Sequence, residues 1–295
     1  MEVFLDALKD TLIVFPFILI IYMLIELLEN GTTASKSRRA LQGPLAPLFG
    51  GATGLIPQCG FSVMAAKLYD KGLIRTGTIM AVFLATSDEA LIILLVNSPI
   101  NAHAAQAILP LILVKLFVAL AVGYLVNAII PDARTEARPL YGSDGDVTSY
   151  SCGHDHSGKS SVRLYVVEPL LHALKVTAFV LIVNLVLGFI IAEVGEERIA
   201  AGLIGGTYFG PFITAAVGLI PNCASSTVIT EAYVMNGISF GSCIAGLCTN
   251  AGLGLVVLLK NTKKFKRNIL LVISLYAVSA IVGLIINVVC AALGI

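Results

Sequence analysis

Tryptophan is absent from this 295-residue chain, and charged residues are scarce, at 13%. A soluble globular domain usually carries about a quarter charged residues, whereas this chain is 57% hydrophobic with a mean hydropathy of +0.93. That balance excludes a cytosolic enzyme and predicts a protein embedded in membrane lipid. The net charge of +1 and the lack of a broad basic face also exclude nucleic acid as a partner.

The six cysteines do not form the close pairs of a secreted scaffold, and five of them lie in apolar surroundings. A disulfide framework is therefore not expected. The first ten residues carry no basic segment and no small-residue cleavage site. We therefore expect the apolar run that starts at Thr11 to be a retained membrane span.

Long runs without Asp, Glu, Lys or Arg predict where the chain enters the membrane, because a spanning helix needs about 20 mainly apolar residues. Between 131 and 167 the composition changes to Asp, Ser, Gly and Arg, which predicts a polar loop. We expect a first membrane repeat over 1–130, this loop over 131–167 and a second membrane repeat over 168–295. The apolar runs are 11–25, 40–66, 76–114, 116–130, 176–192, 199–230, 232–259 and 268–295.

The sequence contains an internal repeat, because residues 47–95 and 211–259 align without a gap with 15 identities in 49 positions. Each copy contains Gly-Leu-Ile-Pro-x-Cys. If both Pro-containing segments fold back as hairpins, fifteen Lys and Arg residues lie on one side of the membrane and two on the other, whereas two crossing segments give nine and eight. The positive-inside rule favours hairpins. We therefore predict an all-α polytopic membrane protein, an inverted repeat of two five-segment halves, each with a Pro-broken helical hairpin.

The two hairpin tips carry matching polar groups. Pro57 and Pro221 leave backbone carbonyls without partners, and at membrane depth such backbone must line a cavity. Each tip adds a carboxamide, a thiol and a hydroxyl, which together predict a substrate site. The alternative is a tight bend in which the cysteine is a small buried hydrophobe. The six candidate side chains are Gln58, Cys59, Ser62, Asn222, Cys223 and Ser226.

An acidic pair, Asp88 and Glu89, interrupts the third apolar run. An ionisable group at membrane depth indicates function, although an interfacial turn is the alternative. The repeat counterpart of this segment is uncharged, and there Thr249 and Asn250 are the candidates. Lys115 either pairs with one of the two acids at the site or belongs to a structural ion pair.

Carboxylate, carboxamide, hydroxyl and thiolate groups together suit a metal ion as the transported substrate, and no cofactor is expected. Thiolates favour soft or borderline ions, whereas carboxylates favour harder ions such as Mn(II). Trivalent arsenic would require several thiols. The cysteines that could converge on it are Cys59, Cys223, Cys243 and Cys248.

The polar loop carries Cys152, His154 and His156 at close spacing, which indicates a segment that binds metal ions. A polar linker without this role is the alternative. The overlapping residues 153–160 fit the P-loop pattern, but they lack the buried strand and the helix that a P-loop joins. We therefore expect transport driven by an ion gradient or by the gradient of the substrate, unless a separate subunit supplies energy.

The run Gly-Leu-Ile-Pro-Gln-Cys-Gly-Phe-Ser at 54–62, followed by Ala-Thr-Ser-Asp-Glu-Ala at 85–90, resembles the ten-transmembrane heavy-metal exporter family. Proteins of this family are also described as arsenic-efflux-like proteins or manganese transporters. The resemblance extends from Asp6 to the last span. It implies ten membrane segments and the efflux of a metal or metalloid.

These patterns favour a secondary-active exporter of a Mn(II)-like cation or of arsenite, working by alternating access in the inner membrane. The central loop would be cytoplasmic, and Asp88 or Glu89 would exchange protons for the ion. The partners would be membrane lipid and the ion. One alternative is an exporter of a small organic anion or metabolite. Another is a membrane-embedded thiol enzyme using Cys59 or Cys223, which is disfavoured because no intramembrane His is placed to act as its base.

Overall fold

The computed structural model describes residues 42–55, 59–70, 72–86, 90–99, 102–130, 206–260 and 265–293, together with isolated helical positions within 8–23 and 170–189. Every element in these ranges is a helix, and they contain no strand. This confirms the all-α class. The polar loop at 131–167 lies outside the described residues, so the division into three regions stays a prediction.

In the described ranges, ten helices follow one another, five in each half and in the same order. The first half contains α1 (Ala46–Gly54), α2 (Cys59–Asp70), α3 (Thr76–Ala85), α4 (Ala90–Asn97) and α5 (Ala102–Ile129). The second half contains α6 (Gly206–Gly218), α7 (Cys223–Val234), α8 (Phe240–Thr249), α9 (Leu253–Leu259) and α10 (Phe265–Leu293).

The Leu-Ile-Pro segments interrupt the helices in both halves, since α1 and α6 end just before them and α2 and α7 start just after them. Proline supplies no N–H for helix continuation. At the second interruption Asn222 is the N-cap of α7, and its side chain accepts a hydrogen bond from the Ala224 N–H. A residue with a short polar side chain is well suited to that position.

The helices that follow the two tips end in the same turn. Gly72 ends α2 at a φ of 72°, and the Leu73 N–H reaches back to the Leu68 carbonyl at 2.8 Å. Asn236 takes the corresponding place after α7 at a φ of 58°, and the Gly237 N–H bonds the Ala232 carbonyl at 2.8 Å. Both are Schellman-type ends, which require a residue that tolerates the left-handed region.

Within the described ranges, three segments are long and apolar enough to cross a membrane: Thr76–Asn97, Ala104–Ile129 and Phe265–Leu293. A fourth consists of Phe240–Thr249 and Leu253–Leu259, which are bent by 41° at their break. Gly252 lies in this break with a φ of 52°, a conformation that glycine adopts without strain. In the first half the corresponding break is the interval between the end of α3 at Ala85 and the start of α4 at Ala90. The helices on the N-terminal side of the two breaks, α3 and α8, are almost entirely buried.

Each half contains a helix crossing in which main chains touch. A Cβ added to Gly77 of α3 would lie 2.1 Å from the Gly123 carbonyl oxygen of α5, and one added to Gly241 of α8 would lie 2.3 Å from the Gly283 oxygen of α10. Beside these contacts stand Asn127, which accepts from the Gly77 N–H at 2.9 Å, and Asn287. Only glycine permits such an approach.

The two halves contact each other through two pairs of helices, each pair made of one helix from either half. Helix α2 of the first half contacts α9 of the second, and α4 contacts α7 in the corresponding way. Each pair joins the helix that follows a tip to the helix that follows a break in the other half. The interface between the halves is therefore formed in part by the helices that follow the tips and the breaks.

Three chain segments meet at one end of the helices. The Gln42 side chain donates to the Gly72 carbonyl at 3.0 Å, which joins the approach to α1 to the turn after α2. The Arg267 guanidinium lies 4.4 Å from the centre of the Tyr69 ring, which brings the start of α10 to the same place. The approach to α1, the turn after α2 and the start of α10 therefore lie close together.

The close main-chain contacts at the glycine crossings predict that a larger side chain there destabilises the protein. We expect Gly77→Ala and Gly241→Ala each to lower the free energy of unfolding by about 1–3 kcal/mol, because the new methyl group pushes two main chains apart. The measurement is thermal unfolding of the detergent-purified protein. Gly51→Ala is the matched control, since its Cβ would meet Leu120 at an ordinary 3.4 Å. Equal unfolding temperatures for all three variants would contradict the close contact.

Candidate functional site

A buried hydrogen-bond network joins the second tip to the second break. Asn250, the C-cap of α8, donates from its amide to the Ser225 hydroxyl at 2.9 Å and accepts from the Gly252 N–H at 2.8 Å. Ser225 donates to the Asn222 carbonyl at 2.7 Å. Two predicted site residues, Asn222 and Asn250, are thus brought together through Ser225.

Ser225 is a residue that the sequence analysis missed. Its position follows Pro-Asn-Cys-Ala, but the corresponding residue of the first tip is Phe61, so the comparison of the two repeats gave no signal there. The adjacent pair Ser225 and Ser226, both buried, was the available signal. Two hydroxyls in an apolar chain are seldom buried without hydrogen-bond partners.

The predicted hydroxyl residues Ser62 and Thr249 are also buried. Ser62 is completely buried, and a Cβ added to Gly254 of α9 would lie 2.8 Å from its Cβ. The main chain of the second half therefore touches the first half at Ser62. Thr249 is also completely buried and donates to the Ala245 carbonyl at 2.8 Å within α8.

Lys115 contacts the helix ends at both breaks. It stands midway along α5 with no exposed surface, and its ammonium group donates to the main-chain carbonyls of Thr86 and Leu247, the latter at 2.8 Å. Thr86 is the C-cap of α3, and Leu247 lies in the last turn of α8. One ammonium group therefore contacts the C-terminal ends of helices from both halves.

Two buried thiols lie within the electrostatic reach of this ammonium group. Cys243 and Cys248 are free and completely buried on α8, and the Lys115 charge acts on both. Of the four cysteines predicted as candidates, these are the two whose side chains the structure describes.

Several predicted site residues lie outside the described residues. Cys59 and Cys223 begin α2 and α7, but their side chains are not among those described, so the convergence of the two tip thiols stays a prediction. The remaining residues outside the described part are Gln58, Asp88, Glu89, Cys152, His154 and His156.

The described side chains do not by themselves make a metal centre. In the ranges that the structure covers, no three His, Cys, Asp or Glu side chains come together in a way that could hold an ion. The groups that do converge are amides, hydroxyls, carbonyls and one ammonium. A metal centre of the predicted kind therefore depends on the tip cysteines and on the acidic pair.

An apolar cavity of about 360 Å³ reaches the second tip. It is bounded at the tip by Leu219 and Pro221 and at the far end of α9 by Lys260. The rest of its lining is Leu255, Val256, Leu259 and Val272. The cavity connects the neighbourhood of the tip to the end of the molecule where the basic segment 260–267 begins.

Comparison with known proteins gives one family. Residues 1–163, more than half of the chain, match the model of a family described as "Putative, 10TM heavy-metal exporter". This confirms the resemblance predicted from the Pro-Gln-Cys and Thr-Ser-Asp-Glu segments. No curated protein and no solved structure matches the chain.

The network around Ser225 predicts that removing its hydroxyl destabilises the protein. We expect Ser225→Ala to cost about 1–3 kcal/mol of unfolding free energy, because the buried Asn250 amide loses its acceptor. Ser274→Ala is the control, since the Ser274 hydroxyl bonds the Leu271 carbonyl of its own helix at 2.8 Å. The two variants are compared by thermal unfolding. If Ser225→Ala is as stable as Ser274→Ala, the Ser225 hydrogen bonds between the tip and the break do not contribute to the stability of the protein.

Proposed function

The chain belongs to the heavy-metal exporter family with ten transmembrane segments, and from this premise we propose that it is a secondary-active transporter that exports a metal or metalloid ion by alternating access. It is a multi-pass membrane protein. The family gives the class of cargo, and the arrangement of helix ends supports the mechanism.

One observation carries the proposal: broken helices from both halves end at the same buried polar region. The carbonyls of Thr86 and Leu247 meet at Lys115, and the Ser225 network binds the second tip to the second break. Irregular backbone at membrane depth is tolerated where it lines a cavity or a binding site. In secondary transporters, discontinuous helices of this kind hold the substrate near the bilayer centre.

We infer that the two halves form an inverted repeat with Pro-broken hairpins. The matching glycine crossings and the matching Schellman-type turns support a common fold for the halves. The contacts of Gln42 with Gly72 and of Arg267 with Tyr69 support a hairpin whose two ends share one side. That side carries basic segments, which favours the cytoplasm.

The substrate would be held by the two tips. Cys59 and Cys223 supply thiols, and Gln58 and Asn222 supply amide groups. The supporting residues are Ser62, Ser226, Thr249 and Asn250, which are all buried at the tips and at the second break. Thiol ligands would favour arsenite or a soft ion, whereas coordination dominated by carboxylates would favour Mn(II).

Proton exchange would be supplied by the acidic pair. A metal ion that binds a carboxylate displaces its proton, so binding and proton release are coupled. Asp88 and Glu89 follow the Thr86 carbonyl that Lys115 contacts. A carboxylate near that carbonyl would therefore be within the region that the two halves share.

Export would start at the cytoplasmic end, in the inner membrane. The cavity that reaches Pro221 from Lys260 supports an approach from the end that carries the basic segments. The central loop would lie on the same side, where Cys152, His154 and His156 could bind the ion before transport. Transport from this side fits the removal of a toxic ion.

A small organic anion is the second candidate cargo. The observation that favours it is the buried Lys115 ammonium group between the ends of α3 and α8, since a positive charge attracts a carboxylate. The family favours the metal. Uptake of the two kinds of cargo by the same vesicles separates these candidates.

The proposed ligands predict the outcome of a transport assay in inverted membrane vesicles. Cys59→Ser is expected to reduce arsenite uptake at least about tenfold, because a hydroxyl does not replace a thiolate for soft ions. Asp88→Asn is expected to reduce Mn(II) uptake by a similar factor if Mn(II) is the cargo. Cys290→Ser is the control, since this partly exposed cysteine lies near the end of α10. Wild-type uptake of both ions by the first two variants would refute the proposed site.

Proton coupling predicts a dependence on the pH gradient. Collapsing the gradient with an uncoupler is expected to lower the initial rate of metal uptake into the vesicles, because export of the ion is then no longer driven by proton flow. The same treatment should leave the residual uptake by Asp88→Asn and Glu89→Gln unchanged. An equal rate with and without the gradient in the wild type would remove the acidic pair from the coupling step.

A further inference from the structure

The Leu247 carbonyl has lost its helical partner. In a continuous helix it would accept from the Ala251 N–H, but that N–H bonds the Thr249 carbonyl at 3.0 Å instead. The last carbonyls of a helix carry partial negative charge because no intrahelical N–H compensates them. Leu247 therefore presents an oxygen suited to a cation.

A second oxygen of this kind comes from the other half. Thr86 ends α3 with a ψ of 127°, so the chain leaves the helix at this residue. Its carbonyl points at the same ammonium group as the Leu247 carbonyl. Two carbonyls from different helix ends that converge on one positive charge form the kind of site in which transporters hold Na⁺ or another ion.

Of the two long helices α5 and α10, α5 alone carries a positive charge at this position. In the register that pairs Gly123 with Gly283, the counterpart of Lys115 is Leu275, which is completely buried. The second long helix therefore brings an apolar side chain where α5 brings an ammonium group. The glycine crossings of the two long helices are alike, so at this position the helices differ in charge and not in the way they cross their neighbours.

We propose that the Thr86 and Leu247 carbonyls form a cation subsite and that Lys115 occupies it as a tethered ion. The ligand class is a small monovalent or divalent cation. The role of this subsite in transport rests on the proposed function. A transported metal ion that reaches the two carbonyls competes with the ammonium group for them. Displacement of Lys115 then frees the ends of α3 and α8 from each other, as the change between two facing states requires.

The test removes the tethered ion. Lys115→Met keeps the unbranched side chain up to the Cε position and removes the ammonium group, so the two carbonyls are left to a free cation. The purified variant is expected to unfold at a lower temperature than the wild type in choline chloride. Potassium or ammonium chloride at about 100 times its dissociation constant should then raise the unfolding temperature by about 5 °C. Choline keeps the ionic strength equal and is too large to enter.

Two controls define the result. The wild type should show no difference between choline and potassium, because its own ammonium fills the subsite. Leu275→Met, the change at the repeat counterpart, should show none either. A potassium response of equal size in the wild type, or its absence in Lys115→Met, would overturn the subsite.

Lys115→Arg covers the case in which the methionine variant does not fold. Its guanidinium retains the charge and offers more donors, so it should hold the carbonyls more firmly. The concentration of metal that gives half-maximal uptake is expected to rise at least about threefold, with a smaller change in the maximal rate. An unchanged half-maximal concentration would overturn the competition.

The two proposals fail separately. Cation binding by Lys115→Met is measured on purified protein without transport, so it stands even if no metal is exported. Metal export that is lost in Cys59→Ser but unaffected in both Lys115 variants would support the exporter and reject the competition between the metal and Lys115.

Discussion

Backbone carbonyls released where a membrane helix breaks must find donors within the protein, because the lipid offers none. Lys115 and the Ser225 network meet this requirement in the described part of the chain. The long helix α5 has to pass the ends of both α3 and α8 to bring its ammonium group to them. The position of α5, and with it the interface between the halves, follows from this constraint.

The glycine crossings make that position possible. At Gly77 with Gly123, and at Gly241 with Gly283, main chains touch and no side chain separates the helices. Small residues at membrane helix interfaces permit this approach, and van der Waals contact then replaces the hydrophobic driving force that lipid removes. The same contact in both halves gives two matching units, which contact each other through α2 with α9 and through α4 with α7.

The halves are alike in packing and unlike in chemistry. The first half supplies the ammonium group of Lys115, together with an acidic pair in its sequence, and the second supplies the neutral network of Asn222, Ser225 and Asn250. Matching packing allows two related arrangements of comparable energy, which alternating access requires. Unlike chemistry gives the shared region a charge distribution that can distinguish one cargo from another. The proposed exporter uses both properties.

Composition and periodicity determined the membrane class, the repeat and the places where helices are interrupted, because lipid allows only long apolar helices and proline stops them locally. The family followed from the Pro-Gln-Cys and Thr-Ser-Asp-Glu segments. Only the tertiary structure showed that the Asn250 amide donates to the Ser225 hydroxyl. It also showed that the Lys115 ammonium group donates to two main-chain carbonyls, whereas the sequence predicted an ion pair with an acidic side chain. These contacts join residues 25, 29 and 132 positions apart, and a linear pattern carries no record of which helix ends will meet.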